Sequence, residues 1–163
     1  MEPTRDFIRM SKDADEIQGH WFPEVGDPVS TIESDEFQGT LIRTNDNNFT
    51  AQKTDRFGKI FYGAICNRQL TRQYYVWLPR VDQLQDYTRK NPDAMFDRFR
   101  EFYSKMTTQN ASLKAQYRRL WLMFVMWDSH QKVWTGKHWI RIDHYTTRTQ
   151  FVTEDMESYR FLN

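Results

Sequence analysis

The apolar residues of this chain change period at Pro79, and that change limits the folds open to it. Upstream, short runs alternate and break at turn residues; downstream, apolar positions recur at helical spacing. Runs over 29–32, 37–43, 49–53 and 60–65 read as strands. They are separated by Asn45-Asp46-Asn47-Asn48 and Asp55-Arg56-Phe57-Gly58-Lys59, where Asn, Asp and Gly tolerate the left-handed backbone of a tight turn. A fifth run over 74–78 is expected to close these into a small antiparallel sheet or partly open barrel. Beyond Pro79, Val81, Leu84 and Tyr87 give a short helix. Asn91-Pro92-Asp93 then carries a cap residue, a proline at the first helical position and a first-turn acid. The helix it opens sets Met95, Phe96, Phe99, Phe102, Tyr103 and Met106 on one stripe, with 107–110 as connector. A third helix over 112–129 contains Leu120-Trp121-Leu122-Met123-Phe124-Val125-Met126, apolar nearly all round, which predicts the centre of a helical layer. Trp134 and Trp139 flank Thr135-Gly136 and are expected to pair across a hairpin. The expected fold class is α+β: a small antiparallel β-sheet or partly open barrel, then a three-helix layer and a C-terminal hairpin.

With 163 residues the chain fits one main domain. The expected division is an acidic leader at 1–20 with a weak helical hint at 14–18, a single α+β domain at 21–142, and a tail at 143–163. That tail is read as a short strand and a helix beginning at Thr153. Only 39% of residues are hydrophobic, but 16% are aromatic, which predicts a core of rings and methionines. The net charge of +1 conceals ten acids against three bases in residues 1–36 and the reverse balance afterwards. Cys66 is the single cysteine, so no intramolecular disulfide forms, as suits a reducing compartment. No apolar run approaches the roughly 20 residues of a membrane span, and the first residues do not read as a signal peptide.

Motifs for catalysis are few. Neither a Gly-rich phosphate loop nor a nucleophile elbow occurs. Cys66 follows Ala64 and Ile65 and reads as a buried, unreactive thiol. His130, His138 and His144, with Asp128 and Asp143, are the only metal candidates, and they lack the cysteines or compact His pair of a structural zinc site. Asp82 and Asp86, like Asp93 and Asp97, are spaced four apart beside basic neighbours and read as solvated helix faces. Thus no catalytic residue, metal or cofactor is expected. The strongest physical signal is basic: Arg68, Arg72, Arg80, Arg89, Lys90, Arg98 and Arg100, interleaved with Tyr74, Tyr75, Trp77 and Tyr87. Cations of this kind bind phosphates while ring faces stack bases, so Arg68, Arg72, Tyr74, Arg80, Arg89 and Lys90 are the candidate nucleic-acid contacts. The competing reading makes the rings alternating core residues.

The segment Trp77-Leu78-Pro79-Arg80-Val81-Asp82-Gln83-Leu84-Gln85, followed by Leu120–Met126 and by Lys132-Val133-Trp134-Thr135-Gly136-Lys137-His138-Trp139, resembles a set of small uncharacterised proteins of bacteriophages and prophages. Their pattern reads W-L-P-R-Q-D-Q-L-Q, L-W-L-A-F-V-M and G-K-V-W-D-G-E-x-W. Residues Glu16-Ile17-Gln18, Trp21, Pro23, Gly26 and Asp27 are similar to their E-I-Q-x-x-W-x-P-x-x-G-D opening. Val81, Gln131 and Thr135 depart from the pattern. The resemblance implies a phage or mobile-element accessory protein in the host bacterial cytoplasm. Such a protein would bind a host or phage macromolecule, inhibition of a host defence system being one form of this. A protein partner is the leading expectation, nucleic acid the alternative, a metal-assisted hydrolase built on His130, His138 and His144 the third reading, and a homodimer compatible with a binding role.

Overall fold

A computed structural model describes residues 3–34, 37–88 and 91–142. The tail from 143 onward, with the strand and helix expected there, lies outside them. The fold is α+β, and the chain divides into two compact units on either side of the Pro79–Arg80 bond, where the apolar period changes.

The first unit opens with two helices, α1 (Arg5–Lys12) and α2 (Asp15–His20). Thr4 caps α1, its Oγ1 accepting from the Phe7 amide at 3.2 Å. The acidic opening stretch is therefore built into the fold: Phe7, Ile8, Met10 and Ile17 are all buried. Five antiparallel strands follow, β1 (Pro28–Thr31), β2 (Gln38–Arg43), β3 (Phe49–Thr54), β4 (Ile60–Tyr62) and β5 (Tyr75–Trp77), the last preceded by the single-turn helix α3 (Thr71–Tyr74). Their order is β4-β3-β2-β1-β5. The closure expected from 74–78 does not occur, because β5 pairs with β1 and leaves β4 at the opposite edge of an open sheet.

What occupies the outer edge of β5 explains why it stops there. The Leu78 amide bonds to the Pro28 carbonyl at 2.9 Å and Ile32 to Tyr74 at 3.0 Å, so the intervening Trp77 directs its own backbone groups away from β1. The Gln18 side chain meets both. Its Nε2 donates to the Trp77 carbonyl and its Oε1 accepts from the Trp77 amide, each at 2.9 Å. Trp21 stacks parallel to the Trp77 ring with centroids 6.1 Å apart and donates from Nε1 to Asp27 Oδ2 at 2.8 Å. The same carboxylate oxygen accepts from the Glu24 amide, and Gly26 turns the chain at φ 96°. Gln18, Trp21, Gly26 and Asp27 are positions of the E-I-Q-x-x-W-x-P-x-x-G-D pattern, and each has a structural role here.

Register assigns the two sheet faces. Val29, Leu41, Phe49, Ala51, Tyr75 and Trp77 share one face and are buried. The other face is buried at Ser30 and Val76 but opens toward β4, where Thr40, Gln52 and Tyr62 form one cross-strand row. Gly39 sits where strands approach closely: a Cβ there would lie 2.7 Å from the Gln52 carbonyl oxygen.

The second unit holds α4 (Val81–Tyr87), α5 (Pro92–Gln109), a 3-10 turn (Ala111–Ala115) and α6 (Tyr117–His130). Asn91 caps α5 as expected, its Oδ1 accepting from Asp93 N at 3.0 Å. The helix runs through the expected connector at 107–109, and Asn110 ends it, its Oδ1 then accepting from the Ser112 amide. Every residue of α6 from Leu120 to Met126 is buried. Phe99 stacks on Trp121 at 3.9 Å and Phe102 on Trp127 at 5.5 Å, so rings join α5 to α6. The hairpin of β6 (Lys132–Trp134) and β7 (Trp139–Arg141) pairs Trp134 with Trp139, edge to face at 5.2 Å. Gln131 leaves α6 in the left-handed conformation, φ 55°, at the position where the phage pattern has Gly.

Two stability measurements follow. Gln18→Ala strands both Trp77 backbone groups and should cost about 2–4 kcal/mol in urea unfolding; a loss below about 0.5 kcal/mol would show that water replaces the amide. Gln131→Gly should gain roughly 0.5–1 kcal/mol by removing a Cβ from a left-handed position, and a lowered urea midpoint would contradict that account.

Candidate functional site

The β3–β4 hairpin of the first unit carries the most unusual surface among the described residues. Asp55 shapes its turn: Oδ1 accepts from the Phe57 amide at 2.8 Å and the Lys59 amide at 2.9 Å, while Gly58 supplies φ 82°. The only acid of the hairpin thus spends its charge on turn amides. Beyond the turn, Ile60, Phe61 and Tyr62 are all exposed. Phe57 at the tip is 80% exposed, Tyr62 60% and the following Ile65 66%. A half-buried strand alternates; this one does not. Ladder bonds from Asp55 to Lys59 and from Gly63 to Ala51 turn the backbone groups of Ile60 and Tyr62 toward the open edge.

Cations accompany the rings. The Arg56 guanidinium lies 4.7 Å from the Phe57 centroid and the Lys59 ammonium 4.9 Å from that of Phe61. In the same unit Arg68 lies 4.4 Å from Phe22 and 5.4 Å from Phe49, and Arg43 lies 5.7 Å from Phe49. Such contacts hold a cation over one face of a ring and leave charge and apolar surface side by side. Tyr75 braces the segment after β4: its hydroxyl donates to the Ala64 carbonyl at 2.5 Å and accepts from the Ala51 amide at 3.2 Å. A Cβ at Gly63 would strike that hydroxyl at 2.4 Å, so only glycine passes here.

The contacts expected from sequence fall in both units. Arg68 stacks as described, and Tyr74, six residues on, is 43% exposed. Arg72 donates to the Trp21 carbonyl, which ties it to the fold, so Arg72→Glu would read stability together with charge. Arg80 forms an ion pair with Asp82 at 3.2 Å, and its amide donates to Gln83 Oε1 at 2.9 Å to start α4. Burial and the neighbouring Arg80 pull the Arg118 guanidinium down to about 10, against the opposing charge of Asp82. Arg98 pairs with Asp128 and Arg100 with Asp97. Arg89 and Lys90 lie outside the described residues. Tyr75 and Trp77 are buried, as the competing core reading requires. Sequence reasoning passed over Arg56, Phe57, Lys59, Phe61 and Tyr62, although one signal was present: a phenylalanine placed at a turn tip between two cations.

Among the described residues no group of three or more His, Cys, Asp or Glu is placed to hold a metal. His130 Nε2 lies 2.9 Å from the Tyr87 hydroxyl, and His144 falls outside the described residues. No described helix is long and apolar enough to cross a membrane. Comparison with protein-family models, curated proteins and solved structures yielded no match.

Cys66 is buried, with Sγ 3.7 Å from Thr71 Oγ1 and 3.8 Å from the Phe49 carbonyl. Burial pushes its thiol above the ordinary value of 9.0, against the smaller pull of Thr71, and burial also raises the Tyr75 phenol above 10.0. Both folded values exceed the unfolded ones. Their contribution to stability is therefore complete below the ordinary values and is lost as pH rises through the raised ones. A thiol reagent at pH 8 should label the native chain much more slowly than the urea-unfolded chain, and stability should fall from pH 9 upward. Equal labelling rates would show that Cys66 is accessible.

Proposed function

We propose that this chain is a non-enzymatic binding protein and that the β3–β4 hairpin of its first unit receives the partner. The observation that carries this reading is the unbroken exposure of Phe57, Ile60, Phe61 and Tyr62 beside Arg56 and Lys59. Large apolar side chains exposed together on one short hairpin are unusual on monomeric proteins and mark interaction sites; Ile60 and Tyr62 present on one sheet face and Phe61 on the other. Aromatic and arginine side chains are also the types that dominate binding energy where two macromolecules meet.

The perturbed groups support the non-enzymatic part. Cys66, Tyr75 and Arg118 are shifted first by burial, and Tyr75 and Cys66 serve packing and backbone hydrogen bonds. The resemblance to phage and prophage proteins supplies the setting: a host or viral macromolecule inside an infected bacterium.

Retention of partners from infected-cell lysate on immobilised protein tests this reading. The doubly truncated Phe57→Ala/Tyr62→Ala chain should retain its partner at least about tenfold less well than wild type, as expected when exposed anchors are removed. Its melting temperature should be unchanged, because both rings are mostly solvent-facing. Equal retention by the two proteins would move the binding surface off the hairpin.

A further inference from the structure

We infer that the hairpin's occupant is a single-stranded nucleic acid, held by phosphate contacts to Arg56, Lys59 and their basic neighbours and by base stacking on Phe57 and Tyr62. The inference rests on the hairpin being the binding surface, and it adds the partner's chemistry. Charge is the first argument. Arg56 and Lys59 stand beside one acid, Asp55, whose Oδ1 faces the Phe57 and Lys59 amides. Arg43 and Arg68 add two more cations in the part of the unit after residue 36, where Asp46 and Asp55 are the acids. A surface of one sign on a short segment suits a polyanion whose charges repeat along its length.

The rings supply the second argument. Phe57 and Tyr62 are exposed on a hairpin braced by the Asp55 turn and by Tyr75. Stacking needs a bare base face, which unpaired bases offer and a closed duplex hides. Beside Tyr62, in the row set by strand register, Gln52 and Thr40 offer amide and hydroxyl groups on the open sheet face, within the reach of base edges and sugars.

The chief competitor is a protein strand added to the open edge of β4. That edge has three residues, and only Ile60 and Tyr62 turn their backbone groups outward. Shortness is how natural sheets discourage strand addition. The edge offers a peptide little backbone pairing while leaving Arg56 and Phe57 at the tip unused.

The test is fluorescence anisotropy of the full chain with labelled 20-nucleotide single-stranded DNA and RNA and the matching duplex. Single strands should bind more tightly than duplex. Affinity should fall about 15- to 60-fold between 50 and 200 mM salt, as three or four phosphate contacts require. Arg56→Glu/Lys59→Glu should abolish binding, and Phe57→Ala and Tyr62→Ala should each weaken it roughly 5- to 100-fold. Phe57→Leu, which keeps apolar bulk but removes the π-face, should behave like Phe57→Ala. Absence of binding at 50 mM salt, equal affinity for duplex, or insensitivity to these substitutions overturns the inference. If nucleic acid fails to bind while Phe57→Ala/Tyr62→Ala still releases a protein from lysate, the partner class is wrong and the hairpin stands as the surface. If the substitutions alter neither, both readings fall.

Discussion

The first unit depends on one side-chain amide. Gln18 reaches from α2 and meets both outward backbone groups of Trp77, serving β5 as the neighbouring strand that the sheet lacks. A buried strand edge without partners is costly, and a glutamine presents donor and acceptor together on one planar group. Trp21 stacks on Trp77, and Asp27 holds both the Trp21 indole and the Glu24 turn. An amide, two rings and one carboxylate thereby weld the opening segment to the edge of the sheet.

The other edge is managed differently. β4 is short, uncapped by any described side chain in the manner of Gln18, and lined with apolar residues that face solvent. The contrast between a sealed edge and an open one gives the unit its polarity and places the candidate surface. Cations over Phe57, Phe61 and Phe22 keep those rings beside charge, which makes the surface compatible with water as well as with an anionic partner.

Much of the fold was legible in the sequence because its signals are local. The Asn91-Pro92-Asp93 start, the turn at Asp55–Lys59 and the Trp134–Trp139 pair all appear where spacing placed them. Helix α1 was missed because eight residues carry too little intrinsic helical stability to leave a strong pattern; burial of Phe7, Ile8 and Met10 stabilises it. The surroundings of the candidate site residues were hidden for a related reason. Arginines counted along the chain look equivalent, yet Arg72 holds a backbone carbonyl, Arg80, Arg98 and Arg100 face carboxylates, and Arg68 stacks on rings.

By itself the sequence determined the order and kind of nearly every described element, the switch from strands to helices at Pro79, and an aromatic core. Period, capping and turn chemistry act over a few residues and need no partner to be read. Only the tertiary structure decided that β5 pairs with β1, that Gln18 closes that edge, and that Phe57, Phe61 and Tyr62 face solvent while Tyr75 and Trp77 do not. Burial and hydrogen-bond pairing arise from residues far apart in the chain, so the same tyrosine or arginine becomes core, cap or contact only once its neighbours are in place.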